Sequence, residues 1–195
     1  MLRNAYQLPI VSTGAILREE QRLGTQLGKE AEMITRTGGL LPDATILSLI
    51  RTWLAAHDGE FVFDGFPRTV TQARSLDALL AQRGTPLEIV IALEADLPTL
   101  QERVTRRLVC TQCRAIVSMG LHVEDISAPC PVCGGTLVRR TDDTLETLSR
   151  RMEEYREKTE PLVGYYLERG VLTKVASMEK PEQVFAHIAP LIEGV

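Results

Sequence analysis

Short apolar runs alternate along the chain with stretches in which apolar residues recur at helical spacing. The runs that predict strands are Ile10-Val11, Phe61–Phe63, Ile89–Leu93 and Val171–Val175. The stretches that predict helices are Ala15–Arg22, Gln26–Thr37, a helix opening at Pro42-Asp43, Thr71–Arg83, Leu97–Arg107, Asp142–Lys158, Pro161–Arg169 and Pro181–Ile192. Strands that alternate with helices of these lengths predict an α/β fold, in which a parallel sheet is flanked by helices.

Polar and glycine-containing loops follow the first two predicted strands. Ser12-Thr13-Gly14 comes after the first strand, and Asp64 through Arg68 comes after the second. In open α/β sheets, ligands bind beyond the carboxyl ends of the strands. We therefore expect the functional site to lie at these two loops.

The composition excludes several classes of protein. The 195 residues carry 22 Lys and Arg against 26 Asp and Glu, a net charge of −4, and 44% of them are hydrophobic. This profile predicts one globular domain over 1–195, and no apolar run approaches the roughly 18 residues that a membrane span needs. A mildly acidic chain has no broad basic surface for nucleic acid. We expect a cytoplasmic protein without a nucleic-acid or membrane partner, in which local arginine clusters hold any bound anion.

The four cysteines form two pairs with metal-ligand spacing, Cys110-x-x-Cys113 and Cys130-x-x-Cys133. Each pair presents two thiolates on a tight turn, and four thiolates complete a tetrahedral zinc site with no open position for water. The ion would therefore be structural, and its binding energy could fold a loop that has little core of its own. An Fe–S cluster, two disulfides and four free thiols are the alternatives. His122 is interpreted as an exposed loop residue rather than a ligand.

Arginines recur near the predicted ligand loops and around the cysteine segment. The candidates are Arg18, Arg68, Arg103, Arg107, Arg140 and Arg151. A guanidinium binds phosphate oxygens bidentately, and phosphoryl transfer requires many donors because its transition state carries much negative charge. Asp64, alone at a strand end, suits the water shell of a magnesium ion. Thr141-Asp142-Asp143 is predicted to cap the helix over Asp142–Lys158.

Three motifs together resemble one known family. They are Ser12-Thr13-Gly14 with Arg18, Asp64-Gly65-Phe66-Pro67-Arg68-Thr69 with Gln72, and Arg140-x-Asp142-Asp143. On these residues the chain resembles adenylate kinase, in the bacterial long form whose lid carries a four-cysteine zinc knuckle, from about Tyr6 to Val184. The resemblance implies the fold of P-loop nucleoside monophosphate kinases and a monomer. It also implies an AMP-binding segment over 12–41 and a mobile lid over 106–143.

The resemblance implies a role for each matching residue. AMP would be bound by Thr13, Arg18, Gly39, Leu40, Leu41, Gly65, Phe66, Pro67, Arg68, Gln72, Arg140 and Arg151, with Gln72 reading the adenine edge. ATP would be bound by Arg103, Arg107, Ile116, Val117 and Glu179, and the catalytic set would be Arg68, Arg107, Arg140, Arg151 and Asp64. The cofactors would be structural Zn²⁺ on Cys110, Cys113, Cys130 and Cys133, and Mg²⁺ with ATP. The implied reaction is the reversible conversion of ATP and AMP into two ADP.

The sequence departs from the family on the ATP side. It contains no Gly-x-x-x-x-Gly-Lys-Ser/Thr phosphate loop, and the strand before that loop, which would form the centre of the sheet, is missing with it. Ala15, Ile116-Val117 and Ala176-Ser177 stand where the family has other residues that serve magnesium or ATP. Two interpretations stay open and can hold together. Either the start of the chain is miscalled or cut and the protein is an active kinase, or it is a degenerate paralogue that binds AMP without phosphotransfer.

Overall fold

The computed structural model describes residues 2–194, and its helices and strands follow the alternation that the sequence predicts. The helices are α1 (Leu2–Tyr6), α2 (Thr13–Leu23), α3 (Gln26–Arg36), α4 (Asp43–Ala55), α5 (Val70–Arg83), α6 (Leu97–Arg106), α7 (Leu145–Glu154), α8 (Pro161–Glu168) and α9 (Pro181–Glu193). The strands are β1 (Ile10–Ser12), β2 (Val62–Asp64), β3 (Val90–Glu94), β4 (Arg107–Cys110), β5 (Ile116–Ser118), β6 (Leu137–Val138) and β7 (Leu172–Ala176). A π-helical turn over Tyr155–Thr159 joins α7 to α8, so the helix predicted over Asp142–Lys158 is divided. In this turn the Glu160 N–H donates to the Tyr155 carbonyl at 2.7 Å, and Pro161, which has no N–H to donate, begins α8.

The strands of the main fold pair in parallel, but they form two separate pairs. β1 pairs with β2 and β3 pairs with β7, and within residues 2–194 no ladder joins β2 to β3. The prediction of parallel strands flanked by helices is confirmed, whereas one continuous sheet is not formed. The break lies in the middle of the predicted sheet, where the resemblance expects a central strand that this sequence does not contain.

Helix α5 ties the two strand pairs together. It contributes Leu76 and Leu80 to the core around β1 and β2, and Ala73 to the core that holds β3, β7 and α8. Leu87, in the loop after α5, packs against both cores. Burial of a leucine side chain contributes roughly 1.5 to 3 kcal/mol, so these contacts couple the pairs without strand pairing.

The cysteine segment folds as a small antiparallel sheet with a core of its own. β4 lies between β5 and β6, and its alternate residues Leu108 and Cys110 are fully buried. They pack with Val117, Cys130 and Leu137 in a cluster separate from the cores of the strand pairs. This small sheet, which we call the lid after the segment 106–143 that the resemblance implies, therefore has a small core of its own.

Helices α1 and α9 close the end of the molecule beside β7. Val184 and Ile188 of α9 pack on Val175 of β7, and Leu2 of α1 joins this cluster. The Tyr6 hydroxyl donates to a Glu193 carboxylate oxygen at 2.7 Å, which fixes α1 to the end of α9. No helix within residues 2–194 is both long and apolar enough to cross a membrane.

Candidate active site

A cavity of about 480 Å³ lies between the carboxyl ends of β1 and β2, helices α2 and α3, and the base of the lid. Its volume is in the range of pockets that hold small-molecule ligands. The predicted site residues that line it are Thr13, Arg18, Gly39, Leu40, Leu41, Asp64, Gly65, Phe66, Arg68, Gln72, Arg107, Ile116, Arg140 and Arg151. Pro67 belongs to the same turn as its neighbours but does not line the cavity. The two predicted ligand loops and the arginines of the lid thus meet at one place.

Strand pairing sets the two ligand loops side by side. Ser12 stands opposite Asp64 in the register of β1 and β2, so both loops start at the same level. The Ser12 hydroxyl then caps α2 by accepting from the Ala15 N–H at 3.4 Å. The Thr13 hydroxyl donates to the Gly65 carbonyl at 3.4 Å, which links the loops directly. Gly65 has a φ of 69°, which glycine adopts without strain.

Two carboxylates hold the guanidinium groups at the lid side of the cavity. Asp142 accepts from Arg140 at 2.5 Å and from Arg151 at 2.6 Å. Asp143, whose side chain is 2% exposed, forms a bidentate pair with Arg107. Burial by itself would raise the pKa of Asp142, but the hydrogen bonds and charges of Arg140 and Arg151 outweigh it and lower the pKa to about 2. The guanidinium groups are therefore held in position before any ligand binds.

The capping role predicted for Thr141-Asp142-Asp143 is wrong. Thr144 is the N-cap of α7, and its hydroxyl accepts from the Thr147 N–H at 3.0 Å. The physical reason is that a hydrogen bond between two charged groups is roughly twice as strong as a neutral one. The carboxylates consequently bind guanidinium groups, and a neutral hydroxyl caps the helix.

Arg18 and Arg68 line the cavity without a salt-bridged carboxylate among residues 2–194. Burial, followed by the charge of Arg140, lowers the pKa of Arg18. Arg68 is open to the cavity yet surrounded by protein, and this burial, followed by the charge of Arg151, lowers its pKa. Both guanidinium groups still carry their charge at neutral pH. The cavity therefore has an excess of positive charge, which suits an anionic ligand.

In the lid, neighbouring residues of β5 face different surroundings. Ile116 is 62% exposed and lines the cavity together with Arg107 of β4. Val117 is 2% exposed and packs in the lid core. Successive side chains of a strand point to opposite faces, which explains the difference. Of this predicted ATP-binding pair, only Ile116 therefore reaches the cavity.

Arg103 and Glu179, also predicted for ATP, do not line the cavity. The Arg103 guanidinium donates to the carbonyls of Ser177 and Glu179 in the loop between β7 and α9. The Glu179 carboxylate lies 3.5 Å from Nε2 of His187. In this arrangement Arg103 fixes a loop of the main fold.

Several cavity residues on α2 and α3 were missed by the sequence analysis. They are Gln21, Glu32, Thr35 and Arg36. The Gln21 amide donates to the Thr35 hydroxyl at 3.3 Å, which joins the two helices at the cavity wall. The spacing of Glu32 and Arg36 puts them on one face of α3, and that was the available signal. Spacing alone does not tell a face that lines a cavity from one that faces open solvent.

The cysteines form a compact group whose geometry suits a metal ion. The sulfur atoms of Cys110, Cys113, Cys130 and Cys133 all lie within 4.8 Å of one another. The Sγ atoms of Cys110 and Cys133 are 3.5 Å apart, and those of Cys113 and Cys130 are 3.7 Å apart. These distances approach the edge, roughly 3.8 Å, of a tetrahedron with metal–sulfur bonds of about 2.3 Å, and they exceed the roughly 2.05 Å of a disulfide bond. The backbone N–H of Cys113 is the largest of the effects that lower the pKa of Cys110 to about 6, which favours its thiolate. The Ala115 N–H by itself would lower the pKa of Cys113, but the neighbouring sulfur atoms and burial outweigh it and raise that pKa to about 12.

Comparison with known proteins agrees with the geometry of the site. The chain matches the profile of the family described as Adenylate kinase over residues 1–171. It is 36% identical over 190 residues to an adenylate kinase of Thermodesulfovibrio yellowstonii, which covers 96% of this chain and 88% of that protein. An adenylate kinase of Moorella thermoacetica is 41% identical over 170 residues (86% of this chain and 78% of that protein). One of Gloeobacter violaceus is 40% identical over 198 residues (98% of this chain and 90% of that protein).

These matches extend over most of the chain and agree with a cavity lined by arginines beside two ligand loops and a four-cysteine lid. The relatives carry the name of a phosphotransferase, and the α/β architecture found here fits it. The chain belongs to the adenylate kinase family.

Proposed function

We propose that this protein is a nucleoside monophosphate kinase of the adenylate kinase type, which transfers the γ-phosphoryl group of ATP to AMP and yields two ADP. The observation that carries this proposal is the set of guanidinium groups around one cavity, from Arg18, Arg68, Arg107, Arg140 and Arg151. In the proposal, the segment 12–41 binds AMP and the lid over 106–143 closes on both nucleotides.

Positive charge is the main requirement of this reaction. An oxygen of the AMP phosphate bonds to the γ-phosphorus of ATP while the bond from that phosphorus to the bridging oxygen breaks, so negative charge shifts from the attacking oxygen to the leaving oxygen and is spread over the oxygens of the transferring group. Arg18 approaches the cavity from α2 and Arg68 from the loop after β2, and Arg107, Arg140 and Arg151 approach it from the lid and α7. Guanidinium groups that are already in place stabilise this charge without reorganising during the reaction.

Asp142 and Asp143 keep the lid-side arginines aimed at the cavity. A carboxylate and a phosphate offer a guanidinium the same kind of oxygen acceptors. A bound phosphate therefore competes with Asp142 for Arg140 and Arg151 and takes up donors that already lie in the correct region. Because Asp142 already orders these arginine side chains, less conformational entropy is lost when the phosphate of the substrate replaces it as their acceptor.

The lid lies close to α2 in this structure. Arg114 of the lid is 3.7 Å from the Glu19 carboxylate of α2, and Ile116 and Leu17 line the same cavity from the two sides. Closure of this kind excludes water, which strengthens electrostatic interactions and limits hydrolysis of ATP. The exposed ion pair itself contributes little energy.

The two metals have different places in the proposal. The carboxylate of Asp64 is exposed at the cavity and is an oxygen ligand of the kind that Mg²⁺ prefers. Magnesium with ATP would reduce the charge on the phosphate oxygens. Four cysteine thiolates suit a closed structural Zn²⁺ site, which would stabilise the lid sheet and stay outside the reaction. Such thiolates persist in a reducing compartment, so we propose that the protein works in the cytoplasm. We also propose that it is a monomer.

Binding of AMP to an Arg68→Ala variant tests the proposed site. The variant should bind AMP about 10- to 100-fold more weakly by isothermal titration calorimetry, since charge-assisted hydrogen bonds of roughly 1.5 to 3 kcal/mol are lost. Arg74→Ala is the matched control, because it removes the same charge from an exposed position on α5. An AMP affinity that Arg68→Ala leaves unchanged would sink the assignment.

A second candidate function is AMP binding without phosphotransfer. It is favoured by Arg103 and Glu179, which bind a loop and His187 instead of the cavity, and by Ala15, which offers no carboxylate for magnesium. An assay that follows ADP formation from ATP, AMP and Mg²⁺, together with ATP titration, separates the two functions. Turnover supports the kinase. AMP binding without turnover or ATP binding supports the second candidate.

A further inference from the structure

Asp43 makes a partly buried contact that none of the steps above uses. It lies in the first turn of α4, where a carboxylate commonly interacts with the free N–H groups of the helix, yet no side-chain cap bond is formed there. Instead, its Oδ1 accepts from Nε2 of Gln72 at 2.7 Å, and its Oδ2 accepts from the Thr69 hydroxyl at 2.9 Å. The carboxylate therefore links the start of α4 to the start of α5 by hydrogen bonds.

The other end of the Gln72 amide is fixed as well. The Arg68 N–H donates to Oε1 of Gln72 at 2.7 Å. A backbone N–H can only donate and a carboxylate can only accept, so the amide has one favourable orientation. A rotation by a half-turn would set oxygen against the Asp43 carboxylate and NH₂ against the N–H. Gln72 is 2% exposed, so water cannot compensate for that mismatch.

Both ends of the fixed amide retain one bonding capacity. Nε2 has a second hydrogen, Oε1 has a second lone pair, and Gln72 lines the cavity. A donor beside an acceptor complements the edge of a 6-aminopurine, in which N1 accepts and the amino group donates. A 6-oxopurine presents the reverse pattern, with a donating N1–H and an accepting oxygen.

We propose that Asp43 is a positioning residue which, by fixing the orientation of the Gln72 amide, makes this site select 6-aminopurine over 6-oxopurine nucleoside monophosphates. The inference rests on the proposed function, since it takes the cavity as the AMP site. Asp43 itself does not line the cavity and acts only through Gln72.

Calorimetric titration with AMP and with IMP tests the inference, because these ligands differ only at the edge that Gln72 would read. In Asp43→Asn, the side-chain amide can present either a donor or an acceptor to Gln72, so only the Arg68 N–H still favours the observed orientation of the Gln72 amide. We expect the preference for AMP over IMP to fall at least about tenfold in this variant. Asp58→Asn, which removes an equal charge from an exposed position after α4, should keep the wild-type preference.

Gln72→Met, an apolar change of similar volume, should bring the two affinities close together. If Asp43 only stabilised the start of α4, Asp43→Asn would weaken the binding of AMP and of IMP equally. An Asp43→Asn variant that still binds AMP and keeps the wild-type ratio of AMP affinity to IMP affinity therefore overturns this inference alone. A preference that survives Gln72→Met overturns it too. A wild-type protein that binds neither ligand overturns the proposed function together with the inference.

Discussion

Each guanidinium at the cavity is held in a different way, and the differences begin with single residues. Arg140 and Arg151 share the Asp142 carboxylate, and Arg107 is bound by the nearly inaccessible Asp143. Arg68 donates from Nε to the Gly65 carbonyl at 2.8 Å, so its charge is oriented but not neutralised. Charge that is oriented and uncompensated is what an incoming phosphate requires.

The Asp142→Asn variant should lose stability in a pH-dependent way. The pKa of Asp142 is lowered from its ordinary value of 3.8 to about 2 in the fold, so its carboxylate stabilises the folded protein above pH 4, and this contribution is lost as pH falls toward 2. The shift corresponds to about 2 kcal/mol near neutral pH. Urea unfolding of both proteins at several pH values between 7 and 3 measures the difference.

The difference in free energy of unfolding between wild type and Asp142→Asn should become smaller as pH falls below about 4. Asp58→Asn, on the exposed surface, should change the free energy of unfolding by less than about 0.5 kcal/mol. A difference in free energy of unfolding that does not change with pH would show that the ion pairs of Asp142 do not contribute as described.

Between elements, the packing of α2 against α3 shapes one wall of the cavity. Gly24 ends α2 with a φ of 67°, and Thr25 caps α3 by accepting from the Gly28 N–H at 3.0 Å. Gly28 lies so close to α2 that a Cβ on it would stand 2.1 Å from the Glu20 carbonyl oxygen. The helices approach this closely only because position 28 has no side chain.

Gly28→Ala should therefore destabilise the protein by about 1 to 3 kcal/mol, the usual cost of overpacking. Gly164→Ala is the matched control, because a Cβ on this helical glycine of α8 meets nothing within 4 Å. That variant should gain roughly 0.5 to 1 kcal/mol, since alanine favours a helix over glycine. Thermal denaturation compares both with wild type, and equal effects of the two changes would contradict the role given to Gly28.

Across the whole molecule, stability is divided between the lid and the main fold. The lid core is a small cluster of its own, whereas the cores of the strand pairs are linked through α5 and Leu87. A sheet with so little apolar packing depends on the ion that its four thiolates are suited to bind. Loss of that ion should therefore act locally.

Removal of the metal with a chelator should abolish the hydrogen-exchange protection of amides in β4, β5 and β6. Protection in β1, β2, β3 and β7 should remain, because these strands lie in other cores. Mass spectrometry of the exchanged peptides, with the metal content determined in parallel, makes the comparison. Protection of the lid that persists without metal would contradict this division.

Two variants remove the need for a chelator. Cys113→Ser should lose the metal and the lid protection together, because one of four ligands is gone. His122→Ala should retain both, since His122 is exposed and its Nδ1 accepts from the Ser118 N–H at 3.1 Å, apart from the sulfur cluster.

The sequence by itself determined most elements and the chemical character of the site. Periodicity predicted the helices and strands because burial of one face imposes its spacing on the residues. The cysteine pairs and the Asp64–Arg68 loop carry their chemistry in a few adjacent positions, and they were therefore visible without a fold. The family followed from those local motifs.

Tertiary structure decided what depends on residues far apart in the chain. Asp142 and Asp143 looked like a helix cap until the fold brought guanidinium groups beside them. Only packing separated Ile116 at the cavity from Val117 in the core, and only packing made Gly28 essential to a helix contact. The break between the two strand pairs and the clamp of Asp43 on Gln72 likewise depend on distant partners, because the free energies of pairing and burial depend on three-dimensional neighbours.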